Sequence, residues 1–177
     1  MADFPDGLKQ PDQRSCGAAC LVAAQGVRDA AYRQRVSDPA TFRAEVLAMH
    51  GRVTSTVDVA GRIQPPWPRD LGTPPWAVAN QLAGTSRVAH RSVPIRWSDG
   101  DDAYRRLVDL PRPAALFVGN AWLPRHVVLV LTGSDTGLRV YEPSSGRVLD
   151  VGRDRFIDNR LGLAGWDTRW FAVVPDR

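Results

Sequence analysis

The sequence predicts an α+β fold in which helices come first and an antiparallel β-sheet follows. Two observations predict it. Up to about residue 83 the apolar residues gather in Ala- and Leu-rich segments with helical spacing. From residue 113 onward they fall in short β-branched runs separated by Gly-, Ser- and Pro-containing turns, the pattern of hairpins. Helices segregated from strands along a chain is the α+β layout.

The elements follow in order. Residues 16–27 (CGAACLVAAQGV) carry small or apolar side chains on every face, which predicts a buried helix with Ser15 as N-cap and Gly26 near its end. A second helix over 40–49 places Phe42, Val46, Leu47 and Met49 roughly on one face. Prolines 65, 66, 68, 74 and 75 punctuate the next stretch, with Trp67 and Trp76 among them. This reads as a stiff, extended surface loop that packs its tryptophans inward; the alternative is an exposed aromatic rim that grips substrate. Thr73 is expected to cap a helix over 74–83, because proline suits a first helical turn. Short strands are expected at 87–90 and 93–97, and a helix opened by acids at 99–109. The runs 113–118, 126–132, 138–142 and 147–151 predict strands, 152–158 a short helix and 168–174 a closing strand.

A chain of 177 residues supports one hydrophobic core, so one domain spanning 1–177 is expected. No run of about eighteen apolar residues exists, which excludes a spanning helix on pattern. The opening Met-Ala-Asp-Phe-Pro-Asp lacks a basic n-region and an apolar h-region. The expectation is therefore a cytoplasmic protein as encoded, with export by a specialised secretion system as the alternative. The net charge of +4 and pI near 9.7 come almost wholly from arginines scattered along the chain. They form no dense cluster and no aromatic-interleaved strand, so no nucleic-acid partner is expected.

Two cysteines, Cys16 and Cys20, stand one helical turn apart. That geometry suits a disulfide poorly and matches no usual zinc spacing. A thiol at the first turn of a helix is different chemistry, because unpaired N–H groups and the helix dipole favour a thiolate there. Cys16 holds that place, and Gly17 beside it would leave room for substrate. Cys20, a turn deeper, reads as a core residue. Of three histidines, His126 opens a strongly apolar strand, where its ring can reach a cleft. His50 at a helix end and His90 in a short strand have weaker settings. Glu142 follows His126 by sixteen residues, across one hairpin. Antiparallel pairing would set it beside the imidazole as an orienting acid. Gln10 or Gln13 would offer a side-chain amide near the helix start, to join the Cys16 N–H in holding an oxyanion.

The stretch from Gln10 through Cys16-Gly-Ala-Ala-Cys-Leu resembles the opening motif of the peptidase C39 family of papain-like cysteine proteases. There too a glutamine lies six residues before the cysteine, which is followed by Gly, a second buried cysteine and Leu. His126-Val-Val-Leu-Val and Tyr141-Glu142-Pro143-Ser-Ser-Gly146 resemble that family's histidine strand and acid-Pro-turn-Gly segment, at the same interval. Gly72-Thr73-Pro74 and Phe156 also match its pattern. The resemblance implies a papain-like fold, with Cys16 as nucleophile, His126 as general base, Glu142 as orienting acid and Gln10 as oxyanion donor. It implies a cysteine peptidase that acts on a peptide or protein and needs no metal or organic cofactor. The chain departs from the family in carrying Glu142 and Ser15 where Asp is usual, and in a long interval between Cys16 and His126. The same fold also serves peptidoglycan amidases, deamidating or proteolytic toxins, and inactive peptide-binding modules. The sequence does not choose an oligomeric state.

Overall fold

The structure is a computed structural model that describes residues 6–111 and 113–176. The helical part comprises α1 (Cys16–Arg28), α2 (Ala30–Arg35), α3 (Pro39–Val53) and α4 (Pro75–Ser86). A single 3-10 turn, Arg69–Leu71, interrupts the proline-rich stretch before α4. Then come β1 (His90–Pro94), α5 (Gly100–Arg105), β2 (Ala114–Gly119), β3 (Pro124–Gly133), β4 (Gly137–Glu142), β5 (Arg147–Gly152), α6 (Arg153–Ile157) and β6 (Thr168–Pro175). The six strands form one sheet in the order β1-β6-β2-β3-β4-β5, and every pair is antiparallel. The fold is α+β and papain-like, with the N-terminal helices packed on the antiparallel sheet.

The sheet is covered on both faces, so its central strands are apolar without a polar side. Along β3, Val127, Leu129 and Leu131 pack with Cys20, Leu21 and Phe42 of the helical layer. Val128 and Val130 point the other way, to Tyr104 of α5 and Phe156 of α6. Strict alternation of side chains across a strand produces this division. It explains why residues 127–131 read as a continuous hydrophobic run. Helix α1 is buried on nearly every face because α2, α3, α4 and β3 all pack against it. Alanine and glycine at six of its thirteen positions let those neighbours approach closely.

Several boundaries differ from the sequence reading. Helix α3 is longer than 40–49: Asp38 caps it by accepting from Thr41 N at 2.8 Å, and Pro39 fills its first position. Its buried stripe is Phe42, Val46, Met49 and Val53, whereas Leu47 is half exposed. Helix α2, invisible to periodicity, is nucleated by Asp29, whose carboxylate accepts from Ala31 N and Tyr32 N. Thr73 does not cap α4; the N-cap position is Pro74, and the Thr73 hydroxyl makes no hydrogen bond within the protein. The two short strands expected in 87–97 are one, β1, because the chain leaves α4 through Arg87 in a left-handed conformation and leaves the sheet after Pro94. The acidic helix ends at Arg105, short of the expected 109.

Candidate active site

Cys16 is the first residue of α1 and is almost buried. Ser15 sits at the N-cap but its hydroxyl turns back to Asp12 O at 3.3 Å, so it caps no N–H of the first turn. Those N–H groups stay available at the helix end that favours negative charge. The space over Gly17 is not open to substrate. A Cβ there would lie 2.7 Å from Thr73 Cβ, so glycine is required for the Gly72-Thr73-Pro74 segment to press on the helix start. Gly72 itself has φ +80°, a conformation glycine adopts without cost. An Arg14–Asp70 ion pair and the bond from His50 Nε2 to Arg69 O (3.2 Å) hold the same segment down.

His126 lies near the start of β3, paired with Val118 of β2. Glu142 ends β4. The β3–β4 register, Leu129 opposite Tyr141, carries the end of β4 back to the start of β3. His126 Nε2 donates to Glu142 Oε1 at 2.8 Å, in a setting where both side chains are nearly inaccessible. With Nε2 engaged, Nδ1 is the ring nitrogen left for Cys16, whose thiol lies near enough to favour the charged form of the imidazole. Glu142 is held in turn by the Pro-Ser-Ser turn. Ser144 donates to Oε1 from its backbone N (2.8 Å) and its hydroxyl (2.7 Å), and Ser145 N donates to Oε2 at 2.8 Å. Sequence reading singled out Glu142 but not these serines, although acid-Pro-Ser-Ser is a side-chain turn signal.

Electrostatics follow from this packing. Burial by itself would lower the His126 pKa, but hydrogen bonds and charge from Cys16 and Glu142 outweigh it and raise the ring to about 9. Burial would raise the Glu142 carboxyl, yet the bonds from His126, Ser145 and Ser144 hold it well below the usual carboxylate range. Cys20 is fully buried and donates to Val127 O at 3.4 Å; burial pushes its thiol far up, so it stays neutral.

The N-terminal segment is tied to the β4–β5 turn. Gly7 N donates to Gly146 O and Gln10 N to Pro143 O, both at 2.8 Å, and the Tyr141 hydroxyl donates to Leu8 O at 2.6 Å. Gln10 thus sits beside the residue that follows Glu142. Its Nε2 donates one hydrogen to Asp12 O at 2.7 Å, which leaves the second, and its Oε1 is buried with no partner in the protein. Gln13 is exposed and makes none of these ties. His90 lies in β1, apart from this group, with Nδ1 bonded to Val88 O at 2.8 Å. The tryptophans of the proline-rich stretch, Trp67 and Trp76, are half-buried and meet edge to face at 5.1 Å.

A surface concavity of about 400 Å³ lies at the opposite end of the sheet, between Thr132, Arg139 and Asp150, and holds neither cysteine nor histidine. Among the described residues, no group of three or more His, Cys, Asp or Glu is placed to hold a metal ion, and no helix is long and apolar enough to cross a membrane.

No family model matches the chain, and no curated protein matches it in sequence. Solved structures do match in fold. The peptidase domain of Streptococcus ComA, a bi-functional ABC transporter involved in quorum sensing, superposes with a TM-score of 0.52 at 16% identity, covering 98% of this chain and 100% of that one. A double glycine motif protease from an AMS/PCAT transporter, solved with its leader peptide, gives 0.52 at 13% identity over 99% and 94%. The Pseudomonas avirulence protein AvrPphB gives 0.52 at 11% over 98% and 97%. At such identities the likeness is one of fold.

Proposed function

We propose that this chain is a cysteine hydrolase of amide bonds, most directly a peptidase. The observation that carries the reading is the buried His126–Glu142 hydrogen bond set against the thiol that opens α1. In the mechanism, the Cys16 thiolate paired with the His126 imidazolium attacks the carbonyl carbon and forms a C–S bond. The developing oxyanion is held by the Cys16 N–H and the free Gln10 Nε2 hydrogen. The C–N bond then breaks as His126 gives its proton to the leaving amine, and the thioester remains. His126, now neutral, takes a proton from water; the resulting hydroxide attacks the thioester and releases the acid and the thiolate. Glu142 keeps the ring oriented and stabilises its charged form throughout. The leader peptide bound by the transporter protease supports a peptide as substrate.

The test is incubation with a peptide library, denatured protein and purified peptidoglycan, read by mass spectrometry. Cleavage of peptide bonds by the wild type and none by a folded Cys16→Ala variant is the expected result. Turnover by that variant would refute the assignment. Attack confined to peptidoglycan or to side-chain amides would keep the machinery and replace the peptidase reading by an amidase or deamidase.

A further inference from the structure

The large apolar side chains most exposed near His126 are on the turn between β2 and β3 and on a loop beside it. Trp122 is 82% exposed, Trp97 80% and Leu123 51%. They are nevertheless held on a rigid base. The Asn120 carboxamide Oδ1 accepts from Trp122 N at 2.9 Å and Leu123 N at 2.8 Å, closing the turn. Gly119 enters it so tightly that a Cβ would lie 2.0 Å from Leu123 O. Trp170 of β6 donates from Nε1 to Asn120 O at 3.0 Å. Trp97 meets the Trp170 ring edge-on at 6.0 Å, and the Arg96 guanidinium lies over the same ring at 5.4 Å while donating to Ala121 O. The turn and the loop are thus locked to each other through Trp170 and Arg96, with their apolar faces turned to solvent.

Rigid, exposed tryptophans contribute nothing to the core, and such pre-organised anchors are what recognition surfaces use. Their position relative to the chemistry sets what they meet. The rim runs directly into β3: Leu123 precedes Pro124, the first residue of the strand that carries His126. In amide hydrolysis His126 protonates the departing amine, so the leaving segment lies on the imidazole side of Cys16. Trp122 lies four residues before His126 along the chain, so at most about 13 Å from it, the reach of roughly four extended substrate residues. We infer that this rim is a specificity surface for the leaving segment of an extended peptide, seating an aromatic or branched aliphatic side chain within the first four residues after the scissile bond. The inference rests on the peptidase reading above and adds to it the side of the cut that is read.

The experiment uses the full chain on a peptide library whose residues upstream of the cut are held constant and whose downstream residues vary, with cleaved sequences read by mass spectrometry. The wild type is expected to favour Trp, Phe, Leu or Ile over Gly, Ser and Asp about tenfold at one of the first four downstream positions. Trp122→Ala and Trp97→Ala are expected to bring that ratio to near one while the labelling rate of Cys16 by iodoacetamide and the thermal midpoint stay at wild-type values. Equal cleavage of all downstream residues by the wild type, or a preference unchanged in both variants, would overturn the rim assignment and leave the catalytic reading standing. A wild type that labels slowly and cuts no member of the library would overturn both.

Discussion

The two sides of the candidate site differ in how completely their polar groups are satisfied. On the sheet side, each Glu142 carboxylate oxygen is bonded within the protein, to His126, Ser144 and Ser145. On the helix side, the Thr73 hydroxyl and Gln10 Oε1 are buried without a protein partner, and Ser15 leaves the first turn of α1 uncapped. Glu142 and His126 are therefore held together by the protein itself. The Cys16 side keeps hydrogen-bonding capacity unused, which suits the proposed reaction, where charge would develop there. Buried polar groups ordinarily find partners, so the contrast marks function more sharply than either side would alone.

The largest expected effect comes from breaking the finished side. His126→Ala should lower kcat/KM by at least about 10³-fold while the fold persists, as checked by circular dichroism and single-turnover kinetics. Gln10→Ala attacks the Cys16 side. If its amide meets the oxyanion, kcat should fall by about 10²- to 10³-fold with KM nearly unchanged. A loss of KM alone would remove Gln10 from the chemistry and reduce the contrast to packing.

Glu142→Gln keeps the shape of the finished side and removes its charge. The rate should fall by about 10- to 100-fold, less than for His126→Ala. The pH profile carries the sign. The His126 proton is held up to about pH 9 in the wild type, so the rate should decline as pH rises through that value. The variant should show the same decline at lower pH. Stability follows the same linkage. The raised His126 contributes fully below its ordinary 6.5, and that contribution is lost as pH rises through about 9. The lowered Glu142 contributes fully above its ordinary 4.5, and that contribution is lost as pH falls below it. Denaturant midpoints measured across pH should peak between these ordinary values in the wild type and flatten in Glu142→Gln.

The smallest effects sharpen the comparison most directly. Ser144→Ala removes a hydroxyl bonded to a buried carboxylate and should cost about 1.5 kcal/mol. Thr73→Val removes a hydroxyl with no bond in the protein while keeping its shape, and should cost nothing or stabilise by up to about 1 kcal/mol. Equal losses in the two variants, measured by chemical denaturation, would erase the asymmetry.

Much of this was legible in the chain. The buried helix from Cys16, the four strands from 114 to 152 and the closing strand follow from side-chain size, period and turn residues, which act over a few neighbours. Boundaries set by capping, such as Asp38 before α3 and Asp29 before α2, were missed because a single acid outweighs a weak apolar pattern. Leu47 looked like core since periodicity places a residue on a helix face without saying how wide the covered face is. Trp67 and Trp76 of the proline-rich stretch are half-buried and pack on each other, as the inward-packing reading expects, and the most exposed tryptophans are Trp122 on the β2–β3 turn and Trp97 beside it.

Local chemistry along the chain thus decided that a thiol would stand at a helix start, that a histidine would open a strand, and that an acid would follow one hairpin later. Whether those groups meet depended on long-range contacts. The β3–β4 register sets Glu142 on His126, the packing of α1 on β3 delivers Cys16, and a bond spanning 133 residues, from Tyr141 to Leu8, brings Gln10 alongside. Registers and layer contacts of that kind arise from burying the shared apolar faces of distant segments. No short stretch of sequence carries that information, because each stretch holds only one half of the contact.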